Sequence, residues 1–510
     1  MSADLECDVL VVGGGPVGLS TAIGLRRLGV SCIVIERHDS TLDFPRGRGV
    51  TVRTMEIFRQ WGLEDDVAAA GLPRGESLYV FAGDSLIAAD FTRTGLPPGN
   101  DEAFSPTRRL ICDQQAMEVV LRRAAVDLGA DVRFGTNCDR WSADDDGVVG
   151  QLTDVRRNEA REVRARWMVA ADGARSSVRE SLAISRSGPG VLSQSISILF
   201  EADLGSRMSD RLSAMYRVGD LPGGAVLSVD NDRRWLLVYT HDPAVEPSTT
   251  FTTDRCAELA RTAVGDPAVG VSVAASKLWE ATVLVADRYR SGRVLLAGDA
   301  AHVVSPVGGL GMNCGIADAH NLAWKLAGVA AGWASPAILD SYEVERRPVA
   351  VDTGAASLGP ARVPAPGNGI VLGYHYESPV IVADGSTPPV VTDPVNDYVP
   401  TGRPGHRAPH LWLDASESTS TLDLFGSAFV LLTSAARNSV ADEIRRLTDA
   451  TNIPLHHHVV DHPGWPELYD VTHDGGVLIR PDGHVAWRSS HGVAETGTGV
   501  RAALLTAAGR

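Results

Sequence analysis

Residues 8–12 form a short β-branched run that ends at a glycine cluster, and residues 16–28 have helical spacing. Gly29 stops them, and residues 30–35 are again continuously apolar. Strand, glycine loop, helix, strand predicts a βαβ unit, and unbroken apolar strands predict a parallel sheet covered on both faces. A second helix-to-strand passage runs from 122–129 into 130–135. Two more buried-type strands, 166–171 and 293–297, each run straight into an Asp/Gly pair. Over roughly 186–277 the texture changes to strand-like runs at 195–204, 225–230 and 235–240, with turn signals such as Pro222-Gly223-Gly224 between them. That predicts an antiparallel sheet inserted into the α/β unit, joined by part of 74–108. After Gly311 the spacing is helical, with Ala319, Leu322, Ala323, Leu326 and Ala327 on one face and Asp318, Asn321 and Lys325 on the other, an amphipathic helix laid on a core. Residues 359–410 are rich in Pro and Gly and predict a linker with little regular structure. From about 411 a new unit begins, with a strand at 429–433, a helix at 441–450 and a hairpin of 476–479 with 484–488 across Pro481-Asp482-Gly483.

Length and charge narrow the picture. One hydrophobic core stops growing near ~250–300 residues, so a chain of 510 residues is expected to hold two or three domains. Its 44% hydrophobic and 22% charged residues are those of a globular protein and too apolar for a disordered one. A net charge of −16 argues against nucleic acid or an anionic membrane as partner. Six cysteines lie far apart with no Cys-x-x-Cys spacing, which points to a reducing compartment and buried thiols. The one stretch that could imitate a leader, residues 9–25, follows acidic Asp4, Glu6 and Asp8 and is broken by Gly13-Gly14-Gly15-Pro16. A cytoplasmic location is therefore expected.

The chemistry concentrates at strand ends. Gly13-x-Gly15-x-x-Gly18 follows the first strand, and Glu36 stands eighteen residues on, at the end of the second. In such a fingerprint the first glycine allows a tight turn and the second lets the backbone approach a pyrophosphate. The third lets helix and strand pack closely, while the acid accepts ribose hydroxyls. Val17 and Arg37 fall beside these positions. The fingerprint alone does not separate FAD from NAD, and a tight turn is the plainer alternative. Two further motifs, 170–176 (Asp172 within Ala-Asp-Gly-Ala-Arg) and 296–302 (Gly298-Asp299 within Leu-Ala-Gly-Asp-Ala-Ala-His), place a carboxylate at the C-terminal end of a strand, where open α/β sheets bind ligands. Either alone reads equally as a loop-capping Asp.

Together, in this order, the three motifs resemble those of the class A flavoprotein monooxygenases, the para-hydroxybenzoate hydroxylase family, over about residues 5–350. The resemblance implies that Asp172 touches both FAD and NADPH and that Asp299 holds the ribityl chain. It also implies that 298–313, with Gly309, Gly311, Met312 and Asn313, is the flavin loop. Gln114 is similar to the family's ribose-contacting Gln, and Arg46 to its Arg beside the cofactor. Arg53-Thr54-Met55-Glu56, residues 178–182, Gly402-Arg403-Pro404-Gly405, Arg480-Pro481-Asp482-Gly483 and Ala486-Trp487-Arg488 resemble actinobacterial aromatic polyketide hydroxylases of the aklavinone hydroxylase type. In those, residues beyond about 395 form a thioredoxin-like domain without redox cysteines, and here the last cysteine is Cys314. The helix after Gly311 would point its positive N-terminal end at the flavin's pyrimidine edge and favour the charge of reduced flavin.

The expected fold is thus α/β: a Rossmann-like FAD domain (1–185 and 278–390), an inserted antiparallel-sheet substrate domain (186–277) and a thioredoxin-like domain (395–510). The absence of a second Gly-x-Gly-x-x-Gly after a strand leaves NADPH without a Rossmann domain of its own. The absence of paired Trp two residues apart disfavours flavin halogenases. By resemblance Pro306 turns its carbonyl to the substrate. Arg48 falls where related phenol hydroxylases carry an acid, so a simple carboxylate base is in doubt, and Arg48 would supply a positive field instead. Tyr216 and Tyr239 come from the inserted sheet that roofs the site, ordinary half-buried sheet tyrosines being the plainer reading. His302 is expected to pack rather than act as a base. No metal is expected, since in His456-His457-His458 only alternate members share a face and no carboxylate or cysteine stands at ligand spacing. Asp144-Asp145-Asp146 before Gly147 reads as a solvated hairpin turn.

The resemblance implies a monooxygenase that uses FAD (non-covalent), NADPH or NADH and O2 to hydroxylate a small aromatic, polyketide-type phenol through a flavin C4a-hydroperoxide. Three alternatives stay open: Baeyer–Villiger insertion on the same fold, a flavin-binding protein without turnover, and a nicotinamide dehydrogenase using the first fingerprint alone. The sequence leaves open whether the chain is a monomer or a homo-oligomer.

Overall fold

The computed structural model describes residues 5–41, 44–72, 80–88, 92–94, 100–209, 211–358, 367–434, 438–472, 474–490 and 497–510. The first strand, Leu5–Val12, has parallel neighbours on both sides, Cys32–Glu36 and Glu159–Ala170. Val294–Leu296 and Asp131–Phe134 extend the row outward. Val9, Leu10 and Val11, like Val34, Met168 and Val169, are fully buried, as unbroken apolar strands covered on both faces must be. The helices Pro16–Arg27 and Leu310–Ala330 pack together over this sheet. An antiparallel hairpin of Thr136–Ala143 and Val148–Asp154 leans on the long strand, and Asp144 caps its turn by accepting from the amides of Asp146 and Gly147.

A second, mostly antiparallel sheet runs in the order His302–Val303, Ser272–Ala286, Arg186–Glu201, Arg234–His241, Gly224–Ser228, Met215–Val218, Val80–Gly83, Thr92–Thr94. Of the expected contribution from 74–108, residues 74–79, 89–91 and 95–99 lie outside the described residues. One face is sealed by the helix Thr253–Val264, whose Cys256, Leu259, Ala260 and Ala263 pack against Ile196, Ile198, Phe200, Trp235 and Leu237.

The C-terminal unit is a four-stranded sheet ordered Leu455–Val459, Phe429–Thr433, Gly476–Ile479, Val485–Ser489. Its first pair is parallel and the other two antiparallel, the thioredoxin arrangement. Asn438–Thr451 and Gly497–Ala507 are its longer helices.

Two expectations need correction. The polar face of Leu310–Ala330 does not meet solvent: Asp318, Asn321 and Lys325 are all buried. They meet the helix Asp340–Ala356 and the 480–484 hairpin. Glu345 accepts from Lys325 Nζ (2.8 Å), Asn321 Nδ2 (2.7 Å) and Arg480 Nη1 (2.6 Å). Nor are residues 367–410 a spacer. Their regular structure is one short helix, Asn368–Leu372, yet Arg407 is fully buried and donates from Nε to Glu56 at 2.9 Å, clamping this strap to the helix Val52–Gln60.

Candidate functional site

The three motif-bearing loops leave the parallel sheet at one edge. Val12 stands opposite Ala170 and Ile35, and Ala170 opposite Leu296, so the register brings Gly13, Ala171-Asp172 and Ala297-Gly298-Asp299 into a single row. Each loop's first amide bonds to a carbonyl at the end of the neighbouring strand: Gly13 to Ile35 (2.8 Å), Ala171 to Val12 (2.8 Å), Ala297 to Ala170 (2.9 Å).

Within the row the glycines are not equivalent. Gly13 has φ +113°, and a Cβ there would lie 2.2 Å from the Ala171 carbonyl oxygen. A Cβ on Gly18 would lie 1.9 Å from the Gly13 carbonyl oxygen. Gly15 has an ordinary extended backbone (φ −78°, ψ −174°), caps the N-terminus of Pro16–Arg27, and a Cβ there would meet nothing. The space over Gly15 is where a pyrophosphate would rest on the helix N-terminus. Val17 fills the crossing with Leu310–Ala330, where Gly298 and Gly315 leave room for its methyls. Glu36 accepts from the amides of Gly14 (2.8 Å) and His38 (2.9 Å), which holds its carboxylate against the glycine loop; Arg37 is exposed beside it.

The two carboxylates fit a dinucleotide. Asp172 Oδ2 accepts from the Val178 amide, while its buried Oδ1 has no protein partner. Asp299 lies open to the cleft yet ringed by protein; that desolvation raises its carboxyl above the usual range, against the pull of His302 and Arg46. Buried polar atoms are nearly always paired, so an orphan oxygen beside a bare glycine cradle fits the hydroxyls and phosphates of FAD. Replacing Asp299 with Ala should weaken FAD binding by about 10–100-fold, the worth of a hydrogen bond to a charged group. The melting temperature of the apoprotein should stay put, and calorimetric titration with FAD checks the first point.

The flavin loop is fixed by its own backbone. Gly308 (φ +80°) and Gly309 (φ +65°) turn the chain into the start of Leu310–Ala330. Asn313, expected to touch cofactor, spends its side chain on protein: Nδ2 donates to Gly49 O (2.8 Å) and Gly309 O (2.7 Å), and Oδ1 accepts from the Thr51 amide (3.0 Å) and Thr54 Oγ1 (2.7 Å). It staples the loop to residues 49–54. Met312 and Gln114 approach Gly47, Gln114 also donating to Glu118 at 2.7 Å. A Cβ on Gly311 would sit 3.2 Å from Val304. Arg46 is exposed, and Pro306, also exposed, has its carbonyl turned back to the Gly309 amide (3.0 Å).

The roof tyrosines point the wrong way. Strand alternation puts Tyr216, Trp235 and Tyr239 on the face sealed by Thr253–Val264. Tyr216 is fully buried, accepting from the Ser213 amide and donating to the Arg211 carbonyl; Tyr239 bonds Glu246. The opposite face carries Met215, Leu227, Leu236 and Leu199, directly opposed across four strands, with Arg234 two residues before Leu236. This row, which alternation alone could have picked out, is the roof.

Between roof and flavin loop lies an ion pair. Arg48, buried, donates from Nε to Asp113 Oδ1 (2.5 Å) and from Nη1 to Ala214 O (3.1 Å), next to Met215. Asp113, the partner of Arg48, is a residue that sequence reasoning passed over. Its only signal was a helix-capping position that turns out to do no capping.

His302 is buried on Asp318 (2.7 Å), which also receives Arg346 (2.7 Å) and the Gly298 amide (3.1 Å). His302, Cys314 and Asp318 are the one such trio among the described residues close enough to share a metal, but the guanidinium of Arg346 already occupies both Asp318 and Cys314. His457 bonds Thr433.

A dinucleotide cradle whose flavin loop faces an antiparallel roof is the site of a flavoprotein monooxygenase. The chain belongs to the FAD-binding aromatic-ring hydroxylases: residues 6–356 match the FAD binding domain family and residues 401–510 the aromatic-ring hydroxylase C-terminal family. It is 38% identical to the tetracenomycin B2 monooxygenase-dioxygenase of Streptomyces olivaceus, covering 95% of each chain. It is 40% identical to the 4-methyl-5-nitrocatechol 5-monooxygenase of Burkholderia sp, covering 95% of this chain and 94% of the other. Among solved structures it is similar to aklavinone-11 hydroxylase in complex with FAD and aklavinone, at 32% identity, TM-score 0.91 and full coverage of both. No helix among the described residues is long and apolar enough to cross a membrane.

Proposed function

We propose that this protein hydroxylates a phenolic, polyketide-type aromatic small molecule, with FAD as cofactor, NADPH as reductant and O2 as oxidant. The observation that carries the reading is the register that lines up Gly13, Asp172 and Asp299 at one edge of the parallel sheet, with Arg48 reaching from beside the flavin loop to Ala214 of the inserted sheet. When bound, the flavin supplies oxygen activation. The chain's own residues orient and exclude water. The glycine cradle and Asp299 hold the nucleotide, the helix Leu310–Ala330 directs its positive end at the flavin loop, and Met215 and Leu227, the half-buried members of the row, offer apolar surface to a ring system. Likeness to tetracenomycin and aklavinone enzymes supports a polycyclic substrate; the nitrocatechol relative supports a single-ring phenol as second reading.

The test is a desalted preparation, its visible spectrum, and anaerobic titration with NADPH across a panel of polycyclic and single-ring phenols. A yellow protein bleached faster in the presence of one phenol is expected. Protein that stays colourless with added FAD overturns the reading. With 18O2, label in a ring hydroxyl separates hydroxylation from lactone formation. Arg48→Ala is expected to keep oxidising NADPH while product per NADPH falls several-fold; unchanged coupling would remove Arg48 from the site.

A further inference from the structure

Asp113 stands where an aspartate ordinarily caps a helix, immediately before Gln114–Asp127, yet its side chain makes no capping bond. It turns instead to Arg48. That arginine is flanked by Gly47, against which Gln114 and Met312 pack, and by Gly49, whose carbonyl accepts from Asn313. The segment bearing Arg48 is therefore laced to the flavin loop, while the Arg48 side chain reaches the roof at Ala214. The pair bridges the flavin-loop side and the inserted sheet.

Each partner keeps one unused group. Arg48 Nη2 is buried with no partner, and Asp113 Oδ2 accepts no hydrogen bond among the described residues although the side chain retains 14% exposure. A buried guanidinium donor left bare in a folded protein is rare. One acceptor oxygen of a ligand that also carries a proton would satisfy both at once, and a phenolic hydroxyl is such a group.

Resting on the aromatic hydroxylase reading, we propose that Asp113 is the proton acceptor for the substrate's phenolic hydroxyl and that Arg48 Nη2 holds the phenolate that results. The O–H bond of the phenol breaks, its proton bonds to Asp113 Oδ2, and the electron pair stays on the phenolate oxygen. The ring, enriched in electrons, is then the better nucleophile toward activated oxygen. No electron leaves or enters in this step. The charged and titratable groups facing Asp113 are Arg48 beside it, Cys112 on its own segment, and Arg234 and Asp230 from the roof sheet. Burial outweighs the attraction of Arg48 and Arg234 and holds the carboxyl above the ordinary range, which suits an acceptor working near neutrality.

The test compares wild-type, Asp113→Asn and Asp113→Glu holoenzymes. The pH is titrated while the ultraviolet spectrum of a bound phenol reports its ionisation, a readout that needs no turnover. In the wild type the bound phenol should ionise at least one pH unit below its value in bulk water, an effect of the Arg48 charge that Asp113→Asn, which removes a neighbouring negative charge, should leave in place with FAD affinity unchanged. With a neutral phenol, Asp113→Asn should lower kcat by about 10²–10⁴-fold, the usual worth of general base catalysis, and change KM little. A phenol acidic enough to be ionised in bulk should escape most of that loss, and Asp113→Glu should restore part of it. Equal losses for neutral and pre-ionised phenols in Asp113→Asn, or a wild-type bound phenol that ionises as it does in bulk water, would overturn the proposal. Failure of the wild type to hydroxylate any phenol would overturn the functional reading instead, and the ionisation titration would still decide whether Arg48 holds a phenolate.

Discussion

Replacing Glu345 with Ala is expected to cost about 3–5 kcal/mol, the penalty for stranding a buried charge by removing its partner. Glu345 is the carboxylate at which the long helix and the C-terminal hairpin meet. Lys325 approaches at 2.8 Å, Arg480 through two nitrogens at 2.6 and 2.9 Å, and all three side chains are fully excluded from solvent. Removing it leaves two cations facing each other across a cavity, with Asp482 the one remaining carboxylate on Arg480 among the described residues. Glu345→Gln keeps the shape and some hydrogen bonds and should cost less. Trp324, with Arg480 5.0 Å from its ring, gives a fluorescence report for denaturant titration. A loss under 1 kcal/mol for Glu345→Ala would mean that water enters and solvates the network.

The same network fixes the sign of the acid response. Burial alone would raise the carboxyl of Glu345, but Arg480 and Lys325 overcome it and hold the group well below its ordinary value of 4.5. Glu56, between Arg407 and Arg53, and Asp318, between His302 and Arg346, are lowered in the same way. A carboxylate lowered on folding contributes stability that is complete above its unfolded value and is lost as pH falls toward its folded one. Stability should therefore be level near neutrality and decline once pH drops below about 4.5, and Glu345→Gln should flatten that decline.

The difference between what was legible in the chain and what was not follows the range of the interactions. The glycine fingerprint, the two strand-end carboxylates and the C-terminal hairpin turn on φ angles and neighbours a few residues away, so local spacing carries them. The faces of Tyr216 and Tyr239 depend on the parity of strand alternation relative to a helix at 253–264, and one residue of register decides between core and cleft. Asp318 and Lys325 read as a polar helix face because their partners, Arg346 and Glu345, lie 28 and 20 positions along the chain. The stretches that resembled the polyketide hydroxylases prove to include the docking contacts themselves: Arg53 donates to the Asp482 carbonyl at 2.8 Å, and Glu56 accepts from Arg407, which closes the strap. Asp113 was missed because an aspartate before a helix already has a sufficient local explanation.

Gly15 and Gly18 should fail in different ways when replaced, and the contrast tests the cofactor assignment without a substrate. Gly18→Ala places a methyl 1.9 Å from the Gly13 carbonyl oxygen, a backbone atom that cannot yield without opening the loop or tilting the helix. The apoprotein itself should be destabilised and colourless. Gly15→Ala strains nothing, because its backbone is extended and its Cβ would meet no protein atom within 4 Å. On protein energetics alone alanine is harmless there and even mildly stabilising through the unfolded chain. The space it would take is the space over the helix N-terminus, so the loss should appear only when a pyrophosphate must approach the amides. The expected result is an apo Gly15→Ala protein with wild-type melting temperature and at least tenfold weaker FAD binding, weaker still for Gly15→Val. Wild-type FAD affinity in Gly15→Val would place the pyrophosphate elsewhere and with it the line of the cofactor past Asp299 and the flavin loop.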